Sequence, residues 1–411
     1  MSTPEIPVEL WSEIFAFSRE YDPGSVQNLA RANHSFRNIV NATPELWQTS
    51  FVITGRELAE MQRVQFLMRK SGGLPLQILI NLPKSHSAEE MKEVGEMLNE
   101  MMPRFQIVTL VAHSYRLTRI LLDAMTKDQP APLLEQLQIH NTVITTDNQN
   151  AIGLCDLFHP SPRLIDVKLP PEVIPYPTAP PSPLFFTITK LSIIETNYPP
   201  PLSIEQLVKL LSNMPVLEEF SFRGGTYDSP FPPPDLGPPA TPRLRSVEVV
   251  TPGIGMYILY LLRAPCLSEV HIRTALDFPD TEERRPRAEI LRNCLRHLSR
   301  TASSITKLTL HDTEFLEPHF EYPQIFQGEL FSSLECVVLC ATDITNEILG
   351  LCRPSGTLKR LELRDCSQVT YDGALPFRER CRKDFEFESL QVQWTSTPGR
   401  YMRMNSTPLS M

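Results

Sequence analysis

Six side chains in the second half of the chain are of the types that bind anions. Arginine holds a carboxylate or phosphate through two parallel hydrogen bonds, and lysine and histidine supply further donors. Within each predicted strand these residues are two or four positions apart, so they share one face. We expect that face to bind an acidic or phosphorylated substrate; the open alternative is that they are solvated and pair with neighbouring strands. The candidates are His271, Arg273, Lys307, His311, Arg360 and Arg364.

Nucleophilic catalysis is the other chemistry that these positions suggest, because Cys336 and Cys340 share the face with His271 and His311. A thiol nucleophile needs an adjacent base that a third group orients, and the sequence suggests no such orienting acid. The chain has no GxSxG, GxxxxGK or HExxH motif and no glycine-rich dinucleotide turn. Its eight cysteines include no CxxC pair. We therefore predict a non-catalytic protein without a cofactor or metal site.

The overall charge argues against nucleic acid and anionic membranes as partners. The 411 residues carry a formal net charge of -9, whereas a nucleic-acid-binding protein is typically basic. The longest apolar run, at 253–262, is about half the length of a membrane-spanning helix, which needs about 20 residues. The first residues lack the basic and apolar regions of a signal peptide. We expect a cytoplasmic or nuclear protein, or one found in both compartments.

The elements that position the candidate residues follow from an internal repeat. Apolar residues recur in the spacing LxxLxL eleven times, with a mean period of about 28 residues. Segments with helical periodicity lie between them, for example at 203–214, 288–300 and 345–352. Each unit is thus predicted to supply one strand and one helix. The triplets begin at Phe105, Leu134, Leu164, Ile188, Leu217, Leu244, Leu267, Ile305, Leu334, Leu358 and Phe387.

This pattern resembles the leucine-rich repeat. The stretch at 358–370, LKRLELRDCSQVT, is the best match and places Cys366 at the turn position of the cysteine-containing subtype. Several other units have threonine there. The resemblance implies an α/β fold, a curved solenoid with a parallel inner sheet and outer helices, whose concave face carries the residues that lie between the core positions.

The first fifty residues follow a different pattern. Ile6, Leu10, Ile14 and Phe17 fall on one face of a helix within 6–18. Two or three short helices follow, with breaks at Asn33 and Pro44. The segments IPVELWSEIF and PELW resemble the beginning and end of an F-box, and the ELW and PELW segments with proline-rich loops look like the large F-box family of mushroom-forming fungi. A small three-helix F-box ahead of leucine-rich repeats resembles the substrate receptors of SCF-type ubiquitin ligases.

The resemblance implies a function and two partners. The chain would be the substrate-recognition subunit of an SCF-type ubiquitin ligase, binding the adaptor subunit, and through it the cullin scaffold, by the F-box and an unknown protein substrate by the repeats. Catalysis would belong to other subunits. The alternative is a non-catalytic repeat scaffold for protein–protein interaction outside ubiquitin transfer. The adaptor-binding candidates, of which about half could instead be core, are Pro7, Leu10, Ile14, Phe15, Leu29, Phe36 and Trp47.

The predicted organisation has four parts. Residues 4–50 form the F-box, 51–104 a helical junction with a degenerate first repeat, 105–396 about eleven repeats, and 397–411 a disordered tail. Within the junction we predict a helix in 55–73 and a strand in 74–80. The chain has 39 prolines, and because proline lacks an amide hydrogen and has a fixed φ, its clusters favour extended loops. These loops are predicted at 170–183, 199–201 and 230–242.

Overall fold

The computed structural model places the chain in two compact units, Met1–Leu217 and Glu218–Met411. It describes residues 6–21, 25–47, 51–53, 58–82, 87–112, 114–126, 129–141, 158, 160–171, 183–194, 204–224, 241–251, 254–274, 284–315, 317–384 and 391–395. Most of the predicted proline-rich loops and the whole predicted tail lie outside the described residues. The predicted domain boundaries at residues 50 and 104 stay predictions.

The first unit opens with three short helices and a 3-10 turn. Asn33 begins the third helix, because its side-chain oxygen accepts a hydrogen bond from the Phe36 amide at 2.7 Å. Pro44 opens the turn, whose Trp47 donates from Nε1 to the Val40 carbonyl at 2.7 Å. The predicted breaks at Asn33 and Pro44 are therefore element boundaries. The elements are α1 (Val8–Tyr21), α2 (Ser25–Ala32), α3 (His34–Ala42) and the turn Pro44–Trp47.

A parallel sheet follows in the same unit, with its strands paired in chain order from β1 to at least β6. The predicted helix in 55–73 and strand in 74–80 correspond to α4 and β2, whereas β1 and α5 have no counterpart in the sequence prediction. The elements are β1 (Phe51–Ile53), α4 (Leu58–Lys70), β2 (Leu76–Leu82), α5 (Ala88–Asn99), β3 (Phe105–Ala112), α6 (Tyr115–Met125), β4 (Gln136–Asn141), β5 (Asp166–Leu169), β6 (Lys190–Ile194) and α7 (Ile204–Ser212).

The second unit repeats the same alternation. Successive strands are parallel, and equivalent positions of successive repeats are register partners, as Leu308 is of Val337 and Val337 of Leu361. The elements are β7 (Glu219–Arg223), β8 (Ser246–Thr251), α8 (Ile258–Leu261), β9 (Glu269–Thr274), α9 (Arg284–Thr301), β10 (Lys307–His311), α10 (Pro318–Phe326), β11 (Cys336–Cys340), α11 (Asn346–Leu351), β12 (Arg360–Arg364), α12 (Tyr371–Asp384) and β13 (Gln391–Thr395).

The core is made by the apolar triplets that define the repeat. In the ten triplets from Phe105 to Leu363, every residue is at most 2% exposed. The eleventh triplet, which starts at Phe387, lies outside the described side chains. Because strand side chains alternate between faces, burying the second and third members of each triplet directs the residues between them to the opposite face. The prediction that the triplets form the core is confirmed for these ten.

A shared bend ends three successive strands of the second unit. Asp312, Ala341 and Asp365 directly follow β10, β11 and β12, and each has a φ between 51° and 53°. The predicted turn residue Cys366 comes next; it is buried, and its thiol donates to the Leu339 carbonyl at 3.5 Å. Thr345 caps α11 because its hydroxyl oxygen accepts a hydrogen bond from the Ile348 amide. The repeat thus fixes strand ends as well as strand cores.

Gly95 marks a close approach of α5 to α6. A Cβ at this position would lie 2.6 Å from the Ala124 Cβ and 2.7 Å from the Leu121 carbonyl oxygen. We expect Gly95→Ala to destabilise the fold by about 1–3 kcal/mol, because the two helices must move apart. The matched control is Gly350→Ala in α11, where a Cβ meets nothing within 4 Å. Alanine there is expected to stabilise by up to about 1 kcal/mol. Urea denaturation of both variants should give shifts of opposite sign, and equal shifts would contradict the account.

We expect the stability of the second unit to depend on pH through His297. Its ring packs on Tyr260 with centroids 4.7 Å apart, and burial, aided by Arg300 and Arg263, lowers its pKa. As the pH falls, His297 of the unfolded chain takes up a proton near pH 6.5, whereas His297 of the folded chain takes it up only at a lower pH. The free energy of unfolding therefore decreases as the pH falls below about 6.5. We expect His297→Phe to flatten the loss between pH 7 and pH 5. Thermal unfolding of both chains at these pH values measures the change in stability. Equal changes in the two chains would contradict the prediction.

Candidate functional site

An exposed apolar surface runs along the first helix. Leu10, Ile14 and Phe17, which we call the α1 apolar face, are 44% to 61% exposed, and Ile6 and Val8 at the start of the segment are exposed as well. Positions 10, 14 and 17 follow the helical spacing of four and three residues, so they lie on one side of α1. A large apolar surface on a small helical segment is characteristic of an interaction site.

The structure separates the seven adaptor-binding candidates into exposed and buried groups. Pro7, Leu10 and Ile14 are exposed, and Leu29 and Phe36 are half-buried. Phe15 and Trp47 are 1% and 4% exposed, which corrects the prediction that they contact a partner. They belong to the core of the helical segment.

The burial of Phe15 has a simple geometric reason. Phe15 follows Ile14 by one residue, and one residue is a rotation of about 100° around a helix, so the two side chains cannot share a face. Phe15 instead packs against Phe36 of α3, with ring centroids 5.1 Å apart. Trp11 lies against both rings, at 5.6 Å from Phe15 and 4.7 Å from Phe36. This aromatic cluster holds α1 on α3 and leaves Leu10 and Ile14 exposed.

A second candidate surface is a groove on the sheet of the second unit, on the face opposite the buried triplets. It encloses about 610 Å³. Four of the six predicted substrate-binding residues line it: His271, Lys307, Arg360 and Arg364. We call this surface the β9–β12 groove. Its full lining is His271, Lys307, Thr309, Glu335, Cys336, Val338, Lys359, Arg360, Glu362 and Arg364.

The other two predicted residues, Arg273 and His311, do not line the groove. Both contact Asp312, the residue after β10: Arg273 Nε lies 3.2 Å and His311 Nδ1 lies 2.6 Å from its Oδ2. These two residues pair with a neighbour, and their role in substrate binding stays a prediction. Asp312 is not identifiable from the sequence pattern, because only the bend at the strand end turns its carboxylate toward Arg273 and His311.

Two acidic side chains hold the bases of the groove in place. Glu362 is buried at 4% exposure, contacts Arg364, and lies 2.6 Å from Arg360 Nε through its Oε1. Glu269 on β9 lies 3.0 Å from Lys307 Nζ and 3.8 Å from His271 Nε2. Because each carboxylate touches two bases, the basic groups are oriented before any ligand arrives. Residue type alone does not reveal Glu362 as the link between the two arginines.

The lining of the groove still has an excess of positive charge. The lining contains more bases than acids, namely Lys307, Lys359, Arg360 and Arg364 against Glu335 and Glu362. Lys359 pairs with Glu335 at 2.8 Å and Lys307 with Glu269 at 3.0 Å, which leaves the excess on β12, where two arginines share Glu362. A protein with a net charge of -9 thus concentrates positive charge at this surface.

The floor of the groove is weakly polar. Val338 of β11 is 6% exposed and lies between Cys336 and Cys340, which are half-buried. Burial raises the pKa of the Cys336 thiol and raises that of Cys340 to about 11. Burial also lowers the pKa of His271, and Lys307 adds to this effect. At neutral pH the two thiols are therefore protonated and the imidazole is neutral, a state that favours packing over nucleophilic attack.

Within the described part of the chain, no three histidine, cysteine or acidic side chains are grouped as a metal site would require. No described helix has the length and apolar character needed to cross a membrane.

Comparisons with known proteins find matches among solved structures. No protein-family profile matches the sequence, and no curated protein matches it. Among solved structures, a protein from Bacteroides fragilis is similar over 76% of this chain and 84% of its own, at 15% sequence identity and a TM-score of 0.42. A TM-score this low supports no statement about function.

Proposed function

We propose that this chain is the substrate-recognition subunit of an SCF-type ubiquitin ligase. The α1 apolar face binds the adaptor subunit, and through it the cullin scaffold. The parallel repeats bind a protein substrate. The observation that carries the proposal is that the α1 apolar face is exposed although other side chains already fill the core of the helical segment.

The energetics of α1 support a partner. A side chain such as leucine or phenylalanine contributes about 1.5–3 kcal/mol when it is fully buried. In the helical segment Phe15, Val26 and Trp47 already supply a core, so exposing Leu10 and Ile14 does not serve the fold of the segment. Binding an apolar groove of another protein would use that remaining surface.

The connection between helices and sheet supports the proposed division of work. Trp47 packs edge-on against Phe66 of α4, with ring centroids 6.0 Å apart, so the helical segment contacts the first helix of the sheet region. A receptor that binds adaptor and substrate on one chain raises the effective concentration of the substrate near the ubiquitin-loaded enzyme. This chain itself performs no bond-making step in the proposal.

A calorimetric titration of the full chain with purified adaptor subunit tests the proposal. We expect one-to-one binding with a negative heat-capacity change, because apolar surface is buried. Absence of binding by titration and by co-elution would overturn the ligase proposal and favour a repeat scaffold outside ubiquitin transfer.

A further inference from the structure

We propose that the β9–β12 groove binds an extended acidic peptide that carries one apolar side chain between two acidic ones. This deepens the proposed function, and it rests on that function only for the identity of the peptide as a segment of the ubiquitylation target. Three features support it: the excess of positive charge, the apolar floor and the spacing of the bases.

Charge complementarity selects an anionic partner. Basic residues lie on both sides of β11: Lys307 on β10, and Arg360 and Arg364 on β12. The side chains of these three residues are 37% to 52% exposed. An arginine has five donors, and Arg364 uses its Nε and Nη2 on Glu362, so its guanidinium has further donors to offer an anion. The buried Glu362 fixes the direction of both guanidinium groups and reduces the ordering cost of binding.

The apolar floor selects the middle of the peptide. Cys336 of β11 lies between Lys307 of β10 and Arg360 of β12 and offers no charge. Val338, the next residue on the same face, lies between Thr309 and Glu362. A carboxylate placed above them would lose water without gaining a partner, which is costly. An apolar side chain there is stabilised by contact with the valine and the protonated thiol.

The strand spacing sets the distance between the two acids. Lys307, Cys336 and Arg360 are register partners in one row across three strands. Parallel strands are about 4.8 Å apart, so the outer two residues are separated by about 10 Å. In an extended peptide, two side chains four residues apart lie on the same side, about 13 Å from each other. The long lysine and arginine side chains can span the difference between this distance and the separation of about 10 Å between the bases. The inferred pattern is acid, any residue, apolar, any residue, acid.

The test uses the full chain without adaptor and a capped fluorescent five-residue peptide. This probe has glutamates at both ends, leucine in the middle and alanines between them, and its binding is followed by fluorescence polarisation at low salt. Two further probes replace the glutamates by lysines or the leucine by serine. We expect the glutamate–leucine probe to bind best and to weaken as salt is added.

Variants locate the binding. Lys307→Gln combined with Arg360→Gln is expected to weaken binding by at least about tenfold, since each base donates to a carboxylate. The matched control, Arg243→Gln combined with Arg245→Gln, removes the same charge from two exposed positions before β8 and is expected to leave binding within about twofold, since it touches no ligand. Circular dichroism verifies that both variants are folded. If the groove variant does not fold, the inference is tested by the three probes and the salt series, both measured on the unaltered chain.

Several results would overturn the inference: no binding of the glutamate–leucine probe, equal binding of the lysine or serine probe, or equal loss in the control variant. A chain that binds adaptor but not the probe overturns the groove inference alone. A chain that binds the probe but not adaptor overturns the ligase proposal alone.

Discussion

A chain that carries both Leu10→Glu and Ile14→Glu is expected to bind the adaptor subunit at least about a hundredfold more weakly than the unaltered chain. Each substitution places a carboxylate where the proposed interface buries a branched apolar side chain, and burying an unpaired charge is strongly unfavourable. Both positions are more than 40% exposed, so the fold should keep its stability. Titration calorimetry measures the affinity, and thermal unfolding measures the stability.

The control for this variant uses two other exposed apolar side chains of the same unit. Ile165 and Phe186 are 44% and 46% exposed and lie among the repeats. Ile165→Glu combined with Phe186→Glu adds the same charge and should leave adaptor binding within about twofold, since exposed changes outside the interface have small effects. Equal loss in both double variants would show that charge, rather than the α1 apolar face, controls the association.

The substitution Arg292→Met is expected to destabilise the second unit by about 3–5 kcal/mol, since it leaves a buried carboxylate without its counter-charge. Arg292 of α9 contacts Glu321 of α10, whose side chain is 2% exposed. Replacing both, Arg292→Met with Glu321→Leu, should restore most of the loss because no charge then remains in the apolar interior. Urea denaturation followed by circular dichroism measures all three chains.

A neighbouring arginine provides the control for Arg292. Arg296 is one helical turn further along α9 and half-buried. Its replacement by methionine should change stability by about 0.5 kcal/mol or less, as expected away from a buried pair. A double variant no more stable than Arg292→Met alone would contradict the assignment of the loss to the orphaned Glu321.

The periodic part of the fold was predictable from sequence. A strand can be recognised from its two or three core residues. Because the LxxLxL spacing recurs in successive repeats, it also predicts which residues of neighbouring strands are register partners. The helices predicted at 288–300 and 345–352 depend on the spacing of apolar residues that are close in the sequence. The start of the sheet was less predictable, because β1 has only three residues and its partner β2 contributes the long apolar pattern.

The candidate surfaces were predictable only in part. Whether Ile14 or Phe15 faces outward depends on where the Phe36 ring lies, and that contact joins residues 21 positions apart. Likewise, the pairing of Arg273 and His311 with Asp312 depends on a strand-end bend with φ of 53°. Residue type identified four of the groove residues, whereas the burial of Glu362 follows only from packing.

Ubiquitin transfer in a reconstituted ligase tests the central claim most directly. The full chain is combined with purified adaptor, cullin scaffold, catalytic subunits, ubiquitin and ATP. A chain held in such an assembly has its own lysines at high effective concentration near the ubiquitin-loaded enzyme. We predict ubiquitin on the lysines of the unaltered chain, and little on the chain with Leu10→Glu and Ile14→Glu. Equal modification of both chains, or none of the unaltered chain, would contradict the account.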